Sequence, residues 1–114
     1  MNSRTWKRFE SQTAKELGTE RELFGGPGGD VKHSLFLVDT KNRARWSISS
    51  WFAKLKKDAG KRSKIPLLVV KEPAKHTKLA IVELHVFSSL LNAAGWGPDI
   101  SREDIPELQG DDTE

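Results

Sequence analysis

Two opposite charges stand two residues apart at the end of an apolar run. The run is LFLVDTK, residues 35–41, and its composition predicts a β-strand. Because side chains alternate along a strand, Asp39 and Lys41 are expected to share one face with Leu35 and Leu37. A carboxylate beside an ammonium is suited to hydrolytic chemistry on an anionic substrate, but an exposed ion pair at a strand end has the same pattern.

Two further carboxylates are candidates to join this pair. Asp30 precedes Asp39 by nine residues, and a hairpin turn near residues 32–34 would place it on a strand beside Asp39. Glu10 lies inside the apolar face of a predicted helix, where a carboxylate needs a partner unless its side chain reaches solvent. The alternative interpretation is that Asp30 is a turn residue and that the GGPGG segment at 25–29 is only a loop.

Clustered carboxylates predict a metal ion. They repel one another unless a cation lies among them, and hard divalent ions such as Mg²⁺ prefer oxygen ligands. A metal held in this way polarises a phosphoryl oxygen and lowers the pKa of a bound water, while a nearby lysine orients that water. These are the parts needed to hydrolyse a phosphodiester.

The elements that must position these residues follow from hydrophobic periodicity. Apolar residues at three- and four-residue steps predict helices over 4–17 and 48–60. Apolar runs predict strands over 34–41, 65–71 and 78–87, a short strand over 19–24, an extension of the sheet over 44–46 and a short helix over 88–94. The order predicts an α/β fold in which the helix over 48–60 connects two strands as a crossover.

The motifs GGDV at 28–31 and FLVDTK at 36–41 resemble the signature of the PD-(D/E)xK nucleases, an aspartate, a hydrophobic strand and an acid-x-lysine triplet. Glu10 on an N-terminal helix is similar to the first acidic ligand of many members. The stretch from Trp46 to Glu72 resembles the helix and strand of the archaeal-type Holliday junction resolvases. The resemblance covers residues 4–87, and it implies a restriction-endonuclease-like core with a central mixed β-sheet flanked by helices.

The resemblance also implies an activity. The implied activity is that of a Mg²⁺-dependent endodeoxyribonuclease that cuts branched DNA, most like a Holliday junction resolvase. The resemblance further implies that Mn²⁺ can substitute for Mg²⁺ and that the active form is a homodimer. The implied catalytic set is Glu10, Asp30, Asp39 and Lys41, with the three acids and the backbone carbonyl of Thr40 as metal ligands. The chain departs from the resolvases in carrying aspartate rather than glutamate in the triplet.

Two other function classes stay open at this point. One is a small restriction-like or repair endonuclease that acts on duplex, nicked or flap DNA. The other is a DNA-binding module without catalysis, and the retained acid-x-lysine triplet argues against it because neither charge helps a core strand.

The charge distribution favours a polyanionic partner. Seven acids and one base fall in residues 99–114, which leaves 18 bases and nine acids in residues 1–98. Either DNA contact or a solvated helix face explains the basic residues in and around the second predicted helix: Arg43, Arg45, Lys54, Lys56, Lys57, Lys61 and Arg62. We therefore expect a nuclease domain over 1–95 and an acidic tail over 96–114 that is a candidate for disorder.

The absence of cysteine excludes disulfides, a Cys-ligated zinc site and a thiol nucleophile in this sequence. The longest apolar runs are far shorter than the ~20 residues of a membrane span. The opening residues contain no apolar signal core, so the expected location is cytoplasmic and no membrane partner is expected.

Overall fold

The computed structural model describes residues 3–20 and 31–108, with side chains described from Lys7 onwards in the first helix. Its elements are α1 (Ser3–Glu16), β1 (Phe36–Asn42), α2 (Ile48–Lys61), β2 (Ile65–Lys71), β3 (Leu79–Ile81), α3 (Leu84–Ala94) and two 3-10 helices (Arg102–Asp104 and Pro106–Leu108). The α/β class is therefore confirmed. Asp30, the GGPGG segment and most of the strand predicted over 19–24 lie outside the described residues.

The three described strands form a mixed sheet in the order β1-β2-β3. β1 and β2 run parallel, with Phe36 paired to Ile65 at one end and Asn42 paired to Lys71 at the other. β3 is antiparallel to β2. Since α2 lies between the two parallel strands in sequence, the predicted strand–helix–strand unit is confirmed.

α2 covers one face of this sheet. Leu37 of β1 and Leu68 and Val70 of β2 pack with Leu55 and Ala59 of α2 in one buried cluster. Burial of these apolar side chains is the main favourable term that holds the helix on the sheet. The face carrying Leu37, Leu68 and Val70 is therefore the α2 face.

α1 contacts β1 and covers the opposite face. Side chains alternate along β2, so Lys71 points away from the face that carries Val70. The Lys71 ammonium lies 5.8 Å from the ring centroid of Phe9 in α1, and that ring is buried. Val38 and Val69, which alternate with the residues of the α2 cluster, are buried on this same α1 face.

Two predicted segments differ in the structure. The strand predicted over 78–87 ends after three residues at Ile81, and α3 begins at Leu84 and ends at a left-handed Gly95. This segment contains both alternating and helical apolar spacing with no glycine or proline between them, so its local pattern does not fix the boundary. The extension predicted over 44–46 is wrong, because residues 44–45 form a bend and the Trp46 indole donates a hydrogen bond to the Arg43 carbonyl.

Contacts divide the chain into two compact units, the first ending at Ile81 and the second beginning at Val82. The sequence placed its division at residue 95, whereas these contacts group α3 with the residues that follow it. In the second unit, a capping box between Ser101 and Asp104 starts the first 3-10 helix, and Ile105 is buried. In the described ranges, no helix combines the length and the apolar composition needed to cross a bilayer.

Candidate functional site: an acid–lysine pair on β1

Asp39 and Lys41 lie on the α2 face of β1, as the alternation predicted. The Lys41 Nζ is 3.4 Å from the Asp39 Oδ2, and the two side chains are 25% and 27% exposed respectively. The same ammonium lies 5.7 Å from the ring centroid of Trp51 in α2. A strand and a helix therefore hold the lysine between a carboxylate and an aromatic face, with both charged groups still reachable from solvent.

Glu10 lies elsewhere. Its side chain is only 2% exposed on α1, next to Phe9, and α1 covers the face opposite to α2. The structure thus places Glu10 and the Asp39–Lys41 pair on opposite faces of the sheet rather than together on one face. The role of Glu10 as a metal ligand stays a prediction.

Asp30 falls outside the described residues, but the residue that follows it does not. Val31 is buried and forms an isolated antiparallel bridge with Val38, directly before Asp39 in β1. The turn between them is organised by His33, whose Nδ1 accepts hydrogen bonds from the backbone N–H groups of Leu35 and Phe36. The chain is therefore antiparallel to β1 at Val38, as the hairpin prediction requires, and the placement of Asp30 beside Asp39 stays a prediction.

The α1 face of β1 carries a polar layer that sequence reasoning missed. Thr13, Thr40 and Asn42 are all buried, and Asn42 is only 1% exposed. Among the described residues, the Thr13 hydroxyl and both polar atoms of the Asn42 amide have no hydrogen-bond partner. An unpaired buried polar group costs about 1–3 kcal/mol. The available signal was the alternation of β1, which places Asn42 two residues beyond Thr40 on an otherwise apolar face.

Of the predicted metal-ligating side chains, Asp39 is the one that the structure describes on the α2 face of the sheet. Within 3–20 and 31–108, no three His, Asp or Glu side chains come together as a metal-binding group. Mg²⁺ is commonly bound through one or two carboxylates, several waters and the phosphate of a substrate. The half-buried Asp39 carboxylate is a donor of that kind, and the backbone carbonyl of Thr40 stays a predicted ligand.

All seven predicted DNA-contacting residues are exposed. The apolar stripe of α2 faces the sheet through Trp51 and Leu55, so Lys54, Lys57 and Lys61 lie on its outer side. A shallow cavity of about 620 Å³ lies at the end of this helix, lined by Asp58, Lys61, Arg62 and Lys64. The exposed basic surface is confirmed, and DNA contact stays a prediction.

Comparison with family models, curated proteins and solved structures gives no match to this chain.

Proposed function

We propose that this protein is a metal-dependent endonuclease of the PD-(D/E)xK type that hydrolyses phosphodiester bonds in branched DNA, with the four-way junction as its substrate. The observation that carries the proposal is the Asp39–Lys41 pair on the α2 face of a buried strand. The parallel strand–helix–strand unit around it supports assignment to a restriction-endonuclease-like core.

A purely structural role explains this pair poorly. An ion pair exposed to this degree contributes only about 0–1 kcal/mol, because solvent screens it and two side chains lose freedom. Leu37, the preceding residue of β1 on the same face, is apolar and packs in the core. Two apolar residues at positions 39 and 41 would extend that packing, so the charged pair is better explained by chemistry than by stability.

In the proposed site, Asp39 holds the metal and Lys41 acts on the substrate. Mg²⁺, when bound, would act as a Lewis acid on the phosphodiester and would lower the pKa of a water molecule that it coordinates. The Lys41 ammonium offsets the charge that develops on the phosphate and orients the attacking water. Trp51 and Asp39 restrict where that ammonium can lie, which prepares it for this role. Asp30 and the Thr40 carbonyl are the proposed additional ligands, whereas Glu10 lies on the opposite face of the sheet.

The basic outer side of α2 is the proposed contact with the DNA backbone. Its lysines are exposed and lie on the helix that flanks the acid–lysine pair. Contacts of this kind position a duplex without reading its sequence. We therefore expect recognition by shape and charge, which suits a branched substrate.

The deciding experiment uses Asp39→Asn with a four-way junction and a linear duplex of matched arm sequence. We expect the unmodified protein to cut the junction in Mg²⁺ and the variant to bind it without cutting, because an amide lacks the ligand charge. Asp99→Asn, at an exposed aspartate outside β1 and α2, is the matched control and should cut normally.

Each other outcome identifies a rival. Undiminished Mg²⁺-dependent cutting by Asp39→Asn would falsify the metal-site assignment. Cutting of duplex, nicked or flap DNA in preference to the junction identifies a single-cut nuclease. Binding with no cutting by the unmodified protein identifies a non-catalytic DNA-binding module.

A further inference from the structure

A basic cleft lies on the face of the sheet opposite to the acid–lysine pair. Its volume is about 430 Å³, and it is formed by α1, the end of β2 and the connection between β2 and β3. The lining residues include four permanent cations and a histidine: Arg8, Lys71, Lys75, Lys78 and His76. No carboxylate is among the described residues that line it.

Two of these cations are held in place. The Lys71 ammonium donates a hydrogen bond of 3.1 Å to the Glu72 carbonyl and lies over the Phe9 ring. Lys78 forms an ion pair with Glu16, whose own side chain is largely exposed. The permanent charges of the described lining residues are all positive, and this charge is offset when an anion enters.

The loop that carries Lys75 and His76 has a strained backbone. The Lys75 N–H donates to the Glu72 carbonyl across a four-residue turn, with Pro73 second and Ala74 third. Ala74 has a φ of 65°, in the left-handed region that favours glycine. A left-handed alanine costs about 1–2 kcal/mol, and such strain is often retained where a turn must present side chains to a ligand.

The residues that line the cleft favour binding of an anionic group over stacking of a nucleobase. Phe9 contributes the only aromatic carbocycle among the described lining residues, and its side chain is 1% exposed, so the ring surface open to a nucleobase is limited to the exposed His76 imidazole. Lysine and arginine donors converging on a small volume are typical of phosphate recognition.

We propose that this cleft is a phosphate-binding site, separate from the acid–lysine pair, and that it takes the backbone of a nucleic-acid strand. The proposal does not depend on nuclease activity, because its residues lie on the α1 face while Asp39 and Lys41 lie on the α2 face. A polyphosphate offers the same chemistry as a strand, so the test includes both.

The test measures binding of a fluorescein-labelled single-stranded 12-mer and, separately, of tripolyphosphate, both in chelator so that no cleavage occurs. The variant is Arg8→Ala with Lys75→Ala, both exposed side chains whose loss leaves the core intact. The matched control is Lys15→Ala with Lys32→Ala, two exposed cations on the same unit that do not line the cleft. Thermal unfolding confirms that both variants fold.

We expect the cleft variant to bind the 12-mer more weakly and to reduce the salt slope of log affinity by ~1.4, at ~0.7 for each lost contact to a single strand. The control should match the unmodified protein. Weakened tripolyphosphate binding with an unchanged 12-mer supports a phosphate site and assigns it to a small polyphosphate. Unchanged binding of both probes, or an equal loss in the control, overturns the proposal. Both probes are measured in chelator without cleavage, so the outcome is distinguishable from failure of the nuclease proposal.

Discussion

At the scale of single residues, the alternation of β1 separates two chemistries. Asp39 and Lys41 lie on the α2 face and remain partly exposed, whereas Thr40 and Asn42 are buried on the α1 face. Consecutive residues of β1 thus lie in different environments, because successive side chains point to opposite faces of the sheet. The acid–lysine pair is the part that we assign to catalysis.

Replacement of Lys41 tests that assignment. We expect Lys41→Ala to lower the single-turnover cleavage rate by more than ~100-fold, the scale of a positioned group that acts in the transition state. DNA affinity should change little, because the lysines proposed to bind DNA lie on the outer side of α2. Lys15→Ala, at an exposed lysine outside β1 and α2, is the control for loss of one positive charge. Cleavage near the unmodified rate would make Lys41 an ordinary strand-end residue.

At the scale of elements, α2 combines a packed side, a basic side and an unusual end. The Lys64 N–H donates to the Ala59 carbonyl and the Ser63 N–H donates to the Gly60 carbonyl, which are the two bonds of a Schellman motif. Ser63 has a φ of 55° at the position where this motif usually has glycine. The helix therefore ends with a serine in a backbone conformation that is energetically unfavourable for a residue with a Cβ.

Relief of that cost should stabilise the protein. We expect Ser63→Gly to raise the free energy of unfolding by about 0.5–1 kcal/mol, since glycine adopts the left-handed region freely but loses more entropy on folding. Urea unfolding of the two proteins measures the difference. Ser63→Ala is the control and should give no gain, because alanine keeps the Cβ. A destabilised Ser63→Gly would show that the serine side chain contributes more than its backbone strain costs.

The basic side of α2 makes a separate prediction. Neutralising Lys54, Lys56 and Lys57 together should weaken junction and duplex binding alike and reduce the salt slope of log affinity by roughly two to three units. The reason is that binding to a B-form duplex releases about 0.9 counterions for each phosphate contact, so each contact that is removed lowers this release by that amount. Titrations at several salt concentrations give this slope. An unchanged slope would place these lysines on a solvated face away from DNA.

At the scale of the whole molecule, the proposed substrate requires two opposed cuts. One small active site cannot reach two symmetry-related phosphates of a junction at once, whereas a two-fold dimer supplies two sites. Among the described residues, α3 leaves Leu84, Phe87 and Leu90 exposed at three-residue steps. These apolar side chains are available for a contact between two copies.

We expect a homodimer mass by sedimentation at micromolar concentration. Phe87→Glu should shift the protein towards a monomer, because a charge in an apolar contact loses its hydration. Ser89→Glu is the matched control, since this exposed position lies on the other side of α3. A monomer mass for the unmodified protein, with and without junction DNA, would favour the single-cut nuclease and leave the metal site unaffected.

Local sequence patterns predict the elements whose apolar periodicity is regular. The strand predicted over 65–71 is β2 with the same bounds, and the helix predicted over 48–60 is α2 with one more residue. The shared face of Asp39 and Lys41 was equally predictable, because alternation is a property of one strand and needs no knowledge of its neighbours. The α/β class followed from the order of these elements.

The positions of distant segments relative to one another depend on tertiary packing and do not follow from local patterns. Periodicity says that Glu10 belongs to a buried helix face but not which side of the sheet that helix covers, so its placement away from Asp39 was not predictable. The basic cleft joins Arg8 to Lys71 and Lys75, which are more than sixty residues apart in sequence. The packing of α1 against the sheet brings these residues together. The free energy of that packing depends on both surfaces, so neither segment alone predicts it.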